Sequence, residues 1–376
     1  MEAAGVAVDN PLGWSVLSAG VEILDTRAIL TTAGCVAVVV RPSSALRRSG
    51  KPVAYLNESD RGKLRLRRSS LITPGDNEKL LAKTARSVAD VCIVDWEDGV
   101  VPSRKAAARE ITAAALATEW ACAERVVRTS SMDGAGFADD IRAAVAAGAD
   151  SIMLPKVENA AQIVRASELI GAAERESGRE HGSVEIWALA ETVQSVQNAD
   201  EIAAAPRMTC LLFGGGDLGA DMRLKRIQLG ANRTLGIHRY EYFYAYSRMV
   251  TAARAEGVDV VVTGFTSFAD LEGSRADAEI SAQFGFTGAL AINPRQLPIY
   301  NEVFAPSDAD LNWANAVLDA VEKAARDEQA VVVVDGSMVD GPFIRNAQHI
   351  RALQDLVDGK RAADEKRLAE QPVVSS

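Results

Sequence analysis

Residues 91–128 read VCIVDWEDGVVPSRKAAAREITAAALATEWACAERVVR, and their order decides the fold. The segment opens on a short apolar run, Val91–Asp95. An Ala-rich stretch with helical spacing follows, Arg104–Ala117, and a second short run, Arg125–Arg128, closes it. Short, almost uninterrupted apolar runs suit strands buried on both faces. A helix between two of them makes a strand–helix–strand unit with a parallel pair.

The same unit repeats on either side. Apolar runs recur at Ser70–Thr73, Ser151–Leu154, Glu185–Leu189, Met208–Phe213, Val258–Val262 and Ala289–Ile292. Helical candidates fill the gaps: Asn77–Ser87, Ala138–Ala147, Ala160–Ala173, Gln197–Ala204, Tyr240–Glu256 and Asp270–Phe284. Gly148, Gly257 and Gly285 stand where three of these helices should stop, and a helix C-terminus often needs the positive φ that glycine tolerates. Eight alternations over about 240 residues match an α/β fold of the (β/α)8 TIM-barrel type in number and length. A doubly wound open sheet is the competing architecture, but no GxGxxG follows the first strand. The barrel is expected over residues 67–305. Residues 1–66 read as an N-terminal extension of unassigned role, with short apolar runs at Val21–Leu24 and Cys35–Val40. The C-terminal region, 306–358, reads as a helix (Asp308–Asp327), a strand-like run (Ala330–Val334), a turn-rich stretch and a helix (Phe343–Leu356). Residues 359–376 are charged and expected to form a disordered tail.

Composition excludes several classes. At 48% hydrophobic residues the chain carries too much apolar material for a disordered protein. Its 51 acidic against 41 basic side chains, a net charge of −10, argue against a nucleic-acid binder, which needs excess cations to meet phosphates. The four cysteines (Cys35, Cys92, Cys122, Cys210) contain no CxxC pair, so neither a zinc framework nor a disulfide scaffold is indicated, and a reducing cytoplasm suits them. No apolar run reaches the roughly 18 residues of a membrane span. The first residues lack the basic and apolar regions of a secretory signal. The expectation is a cytoplasmic protein without a membrane partner.

In a (β/α)8 barrel the chemistry sits at the C-terminal ends of the strands. Those ends carry Asp95-Trp96-Glu97-Asp98, Arg128, Leu154-Pro155-Lys156, Glu191, Gly214-Gly215-Gly216-Asp217 and Asn293-Pro294. The mouth is thus rich in carboxylates, with two strong cations and no histidine. Two carboxylates with water and substrate oxygens suit Mg²⁺, a hard ion that keeps a partly hydrated octahedron. The planar fork of Arg128 suits a substrate carboxylate. Simpler readings stay open: Asp217 as the cap of a helix starting at Leu218, the three glycines as a tight turn, and each strand-end acid as a structural ion-pair partner. His181, His238 and His349 read as surface or packing residues, Met153 and Met208 as core. Trp96 reads as packing between barrel and helices, with the pocket wall as its other place. Tyr240, Tyr242, Tyr244 and Tyr246 spread around their helix as packing, with an oligomer contact as their other place.

At these residues the sequence resembles the HpcH/HpaI aldolase and citrate lyase β-subunit superfamily, in the branch with malyl-CoA and citramalyl-CoA lyases. Over about residues 67–350 the motifs recur in order: Arg68-Ser69-Ser70-Leu71-Ile72-Thr73-Pro74-Gly75, Asp95–Pro102 with Lys105 and Arg109, Arg128, Leu154-Pro155-Lys156-Val157-Glu158, Glu191-Thr192 and Phe213-Gly214-Gly215-Gly216-Asp217-Leu218. The resemblance implies a carbon–carbon lyase. Glu191 and Asp217 would ligate Mg²⁺, with Mn²⁺ as a second candidate ion. Arg128 would bind the carboxylate of a 2-oxo acid. Glu97 and Asp98 would hold metal-bound waters, Gly216 would line the substrate site, and Arg68 would lie near the entrance for coenzyme A. Met338-Val339-Asp340-Gly341-Pro342 resembles the motif of a C-terminal lid whose Asp, here Asp340, is the acid/base on the acyl-CoA carbon, delivered across a subunit contact. Homo-oligomerisation as a trimer or hexamer is implied with it. The strand-8 motif departs from the family, because Gly288–Pro294 has neither its Lys nor its His.

The reaction so implied is reversible cleavage of a 3-hydroxyacyl-CoA, such as malyl-CoA or citramalyl-CoA, to an acyl-CoA and glyoxylate or pyruvate. Competing readings are a metal-dependent 2-oxo-acid aldolase on free acids, a malyl-CoA thioesterase or malate-synthase-like enzyme, and a non-catalytic subunit of a larger lyase complex. The free-acid aldolases carry Glu-His where this chain has Glu97-Asp98, which argues against that branch.

Overall fold

A computed structural model describes residues 64–225, 240–327 and 332–370. Eight parallel strands lie in chain order: β1 (Ser69–Pro74), β2 (Val91–Asp95), β3 (Glu124–Arg128), β4 (Ser151–Leu154), β5 (Glu185–Ala190), β6 (Met208–Phe213), β7 (Asp259–Thr263) and β8 (Gly288–Ala291). Each pairs with the next, and β8 pairs back onto β1 through Ser69 with Ala289, so the sheet closes into a barrel. Every strand falls within a residue or two of the run read from the sequence.

The period of two along the strands sorts their side chains into two cores. One set fills the lumen: Val91, Ile93, Val126, Met153, Trp187, Leu189, Cys210, Leu212, Val261 and Leu290. The other, including Cys92, Val94, Val127, Ile152, Ala188 and Leu211, packs outward against the helices. Those helices are α1 (Glu78–Thr84), α2 (Lys105–Leu116), α3 (Phe137–Ala146), α4 (Ala160–Glu176), α5 (Val193–Gln197), α6 (Ala199–Ala203), α7 (Gly215–Asp221), α8 (Phe243–Glu256), α9 (Leu271–Phe284) and α10 (Leu297–Val303). Gly148, Gly257 and Gly285 adopt φ of 89°, 66° and 97°, as their helix-ending positions require. The helix read over 197–204 is Ala199–Ala203, and a further short helix, Val193–Gln197, precedes it across Asn198.

The barrel's N-terminal end is closed by ion pairs. Arg67, buried, donates to both oxygens of Glu124 (2.8 and 3.0 Å) and to Asp259 (3.1 Å). Its guanidinium lies 4.9 Å from the centre of the Trp187 ring, whose Nε1–H also donates to Glu124. At the β1–β8 seam the backbones approach so closely that a Cβ on Gly288 would overlap the carbonyl of Arg67.

Past the barrel, Ser307 caps α11 (Asp308–Arg326) in a capping box with Asp310. A hairpin of β9 (Val332–Val334) and β10 (Ser337–Val339) turns through Asp335 and Gly336, both at positive φ. Then comes α12 (Gly341–Glu370). Val339, Ile344 and Ala347 pack on Ala314 and Val317 of α11. The tail reading is corrected here, because residues 359–370 are helical rather than disordered. Their charges sit at helical spacing, Lys360 with Asp364 at 2.6 Å and Arg367 with Asp364 at 3.3 Å, which supports the helix. Residues 371–376 and the extension up to residue 63 lie outside the described residues. Among the described residues no helix is long and apolar enough to cross a membrane.

Candidate active site

The strand register brings the C-terminal ends together. Asp95 of β2 stands opposite Arg128 of β3. Arg128 donates to Asp95 through Nε and Nη2, both at 2.7 Å, and its Nη1 lies 3.0 Å from Glu97 Oε2. Burial works against the guanidinium charge, but Asp95, Glu97 and Glu191 outweigh it and raise its pKa above the ordinary value. Asp95 also accepts the backbone N–H groups of Glu97 and Gly99, each at 2.8 Å. Gly99 must be glycine for this, since a Cβ there would sit 2.5 Å from Asp95 Oδ2. Lys105 pins the same loop by donating to the carbonyls of Trp96 (2.7 Å) and Glu97 (3.2 Å) and to Ser130 Oγ (3.1 Å).

Opposite Arg128 stand the acids that follow β5 and β6. Glu191 is buried and accepts the N–H of Lys156 at 3.1 Å. Lys156 follows β4 with φ of 52°, a left-handed conformation that is strained for a side chain with a Cβ. Asp217 is half exposed, and its Oδ1 lies 3.7 Å from Lys156 Nζ. The helix here, α7, starts at Gly215, so Asp217 lies inside its first turn and does not cap a helix at Leu218. Gly214 is more than a turn residue, because a Cβ on it would come 2.9 Å from Glu191 Oε2 and closer still to its Cβ. Gly215 donates to Thr263 Oγ1 at 2.9 Å, which fixes the loop, and Gly216 is half-buried beside it.

Too much negative charge is gathered here to ionise freely. Burial, helped by Asp217 and Glu97 and opposed by Arg128, pushes Glu191 up to about 8. Burial also pushes Glu97 up to about 7, against Arg128 and with help from Asp98 and Asp95. A divalent cation would relieve both, so Glu191 and Asp217 fit a hard metal ion. Among the described residues no group of three or more His, Cys, Asp or Glu is placed to hold one. Two protein ligands leave most of an octahedron to water and substrate oxygens, the arrangement Mg²⁺ prefers.

Two predicted residues lie elsewhere. Arg68 is corrected: it precedes β1, at the N-terminal end of the barrel, and cannot border the mouth. Its guanidinium is buried against Asp90, which precedes β2, at 2.8 and 2.9 Å, and reaches the carbonyl of Asn301. Asp340 stands exposed at the head of α12. Leu356, Gly359 and Lys360 of that helix share a cavity of about 620 Å³ with Asp90, Glu124, Asp150 and Glu185, all at the N-terminal end. Val339, the residue before Asp340, packs on α11 in a cluster separate from the two barrel cores. Asp98 is at the mouth and exposed.

The sequence reading missed Asp95 as the group that aims Arg128, and Lys156 as the link between Glu191 and Asp217. Most other readings hold. Trp96 is buried in the barrel–helix layer and donates to Thr112. The packing reading holds for Tyr242 and Tyr246, which pack on Phe213, but not for Tyr240 and Tyr244, which are exposed. Met153 and Met208 are core. His181 is exposed beside Glu174, and His349 lies at the barrel's N-terminal end near Asp259. His238 lies outside the described residues. Asn293, in place of the family's His, caps the turn after β8 in a capping box with Gln296.

An eight-stranded barrel with paired acids and an arginine at its mouth defines a class of metal-assisted enzymes, and comparison with known proteins names the family. Residues 68–294 match the model of the HpcH/HpaI aldolase/citrate lyase family, and the chain belongs to that family of carbon–carbon lyases. It is 36% identical to the citrate lyase subunit beta of Leuconostoc mesenteroides subsp. cremoris, over 79% of this chain and 97% of that one. It is 34% identical to a (3S)-malyl-CoA thioesterase of Cereibacter sphaeroides, over 77% and 95%. It is 33% identical to the L-malyl-CoA/beta-methylmalyl-CoA lyase of Rhodobacter capsulatus, over 76% and 94%. A crystal structure of CitE from Mycobacterium tuberculosis in complex with magnesium, acetoacetate and coenzyme A matches with a TM-score of 0.63 and 30% identity, over 78% and 99%.

Proposed function

We propose that this chain is a Mg²⁺-dependent lyase that reversibly cleaves a 3-hydroxyacyl-CoA, of the malyl-CoA or citramalyl-CoA type, to an acyl-CoA and a 2-oxo acid such as glyoxylate or pyruvate. The observation that carries the reading is the convergence of Glu97 and Glu191 on Arg128, with Asp217 acting on Glu191, at the C-terminal end of a barrel of this family. The relative named for malyl-CoA cleavage and the structural neighbour holding magnesium and coenzyme A support it.

Arg128, aimed by Asp95, holds the carboxylate of the oxo-acid half in two parallel hydrogen bonds. Glu191 and Asp217 would hold the ion, with Glu97 and Asp98 beside it and Gly216 beside the substrate. Bound magnesium supplies Lewis-acid stabilisation of the negative charge that develops on the 2-hydroxyl oxygen. The hydroxyl gives up its proton to solvent at the mouth; its oxygen then forms the carbonyl of the oxo acid as the carbon–carbon bond breaks, the bond's electron pair passes to the acyl-CoA half as an enolate, and Asp340 of a second copy protonates the carbon. In reverse Asp340 removes that proton, and exclusion of water strengthens it as a base. With Asp340 delivered by a second copy, the working form in this reading is a homo-oligomer. Its partners are small molecules, with neither nucleic acid nor membrane among them.

Purified protein is incubated with malyl-CoA or citramalyl-CoA and Mg²⁺, with Mn²⁺ in parallel, while oxo acid and free thiol are followed separately. Release of glyoxylate or pyruvate without free thiol, abolished by EDTA, is the expected result. Free coenzyme A with no oxo acid assigns a thioesterase instead. Neither product from any substrate pair overturns catalysis by the isolated chain.

A further inference from the structure

Lys156 is the cation at the mouth to which the proposed mechanism gives no task. Its backbone is held in the left-handed region at φ 52°, and that turn aims its N–H at Glu191. Its ammonium, 3.7 Å from Asp217, also feels the charges of Glu97, Glu191 and Asp98. One residue thus attends both acids assigned to the ion, through its main chain on one and its side chain on the other. The Lys156 side chain is 46% exposed and Asp217 is 50% exposed, so their pairing is open to exchange. An ammonium on a flexible stem is a mobile point charge, unlike the fixed fork of Arg128.

We infer that Lys156 is the resident counter-ion of the metal site: its ammonium neutralises Asp217 in the ion's absence, competes with the divalent ion, and transfers to the anionic oxo acid when ion and acid are bound together. The inference rests on the proposed assignment of Glu191 and Asp217 as the ion's ligands. Its physical basis is charge. A positive group beside the site repels an incoming dication, and the repulsion falls once an anion draws the ammonium away. Ion and oxo acid then bind more tightly together than apart, each raising the other's affinity by the same factor. Without the ammonium the competition is lost and the coupling shrinks to what direct contact between acid and ion supplies, while the backbone N–H still holds Glu191.

The test is calorimetric titration of the full chain with Mg²⁺, with and without pyruvate, at low and at physiological ionic strength. Wild type, Lys156→Met, Lys156→Gln and Glu191→Gln are compared. Without pyruvate, Lys156→Met and Lys156→Gln bind Mg²⁺ about tenfold more tightly than wild type, and the gap narrows as added salt screens the half-exposed charge. Pyruvate tightens Mg²⁺ binding to wild type, and that gain is smaller in both neutral variants, where only direct contact between acid and ion remains; an equal gain in wild type and variants overturns the inference. Mg²⁺ binding to the neutral variants that equals or falls below wild type overturns the inference, as does a wild type in which pyruvate leaves Mg²⁺ affinity unchanged. Glu191→Gln separates the two levels. Undiminished Mg²⁺ binding in that variant overturns the assigned site itself, whatever Lys156 does.

Discussion

Replacing Asp95 by Asn tests how the arginine of the mouth is held. Asp95 is buried and accepts four hydrogen bonds, two from Arg128 and one each from the N–H groups of Glu97 and Gly99. Asparagine keeps one acceptor oxygen and turns an NH2 toward donors, so part of this set loses its partner and the guanidinium loses its main counter-charge. Breaking a buried pair from one side costs about 3–5 kcal/mol. Glu97 remains 3.0 Å from Arg128, so the low end applies, about 3 kcal/mol. Spread over the unfolding entropy of roughly 300 residues, this lowers Tm by about 5 °C. The freed Arg128 also divides its time between Glu97 and the substrate. In the condensation direction kcat/KM for the oxo acid falls about 100-fold, the rate equivalent of about 2.7 kcal/mol, and most of the loss is in KM. Scanning calorimetry and initial rates with pyruvate or glyoxylate read the two effects. A Tm within 1 °C of wild type, as a rough threshold, together with KM within about twofold, would refute the account of Asp95 as the group that aims Arg128.

Three further outcomes follow from the geometry. Glu174 is fully buried; burial alone would raise its pKa, but Arg207 and the N–H groups of Gly182 and Val184 bring it down to about 2. Its stabilisation, about 3 kcal/mol, is complete above the unfolded value near 4.3 and is lost as pH falls toward 2, so Glu174→Gln should be less stable at neutral pH and flatter in an acid titration of stability. Gly214→Ala pushes a methyl into Glu191 and should weaken Mg²⁺ binding at least about tenfold in calorimetry while circular dichroism stays that of the wild type; unchanged affinity would show that Glu191 does not need that space. Asp340→Asn should abolish turnover and leave Mg²⁺ affinity untouched, and a variant with wild-type turnover removes Asp340 from the mechanism.

Much of this architecture is legible in the chain because parallel strands buried on both faces leave bare apolar runs, and because a glycine at each of three helix ends marks where the chain must turn left-handed. The acids and Arg128 are legible for the same reason, since each closes a run whose direction is known. What the sequence does not carry is register. Nothing local says that Asp95 faces Arg128, because that pairing arises from the stagger of neighbouring strands around the barrel. Nor does any residue type announce a lysine at positive φ. Arg68 shows the opposite failure. It stands before its strand, hence at the N-terminal end, yet its place in a motif suggests the mouth. The charge-rich end of the chain reads as disorder by composition, but spacing rather than composition decides whether such charges pair along a helix.

The seam between β1 and β8 has a consequence for how the protein is made. Strands β1 to β7 each find a partner in the next segment synthesised, but the outer edge of β1 pairs only with β8, roughly 220 residues later. At ribosomal speeds of about 5–20 residues per second, that edge stays unpaired for roughly 10–40 s. An open apolar strand edge invites another chain, and charges beside it discourage such pairing. Arg65, Arg67 and Arg68 stand immediately upstream of that edge. The cations that end as partners of Glu185, Glu124 and Asp90 at the barrel's closed end thus also set three positive charges next to the nascent edge until β8 emerges.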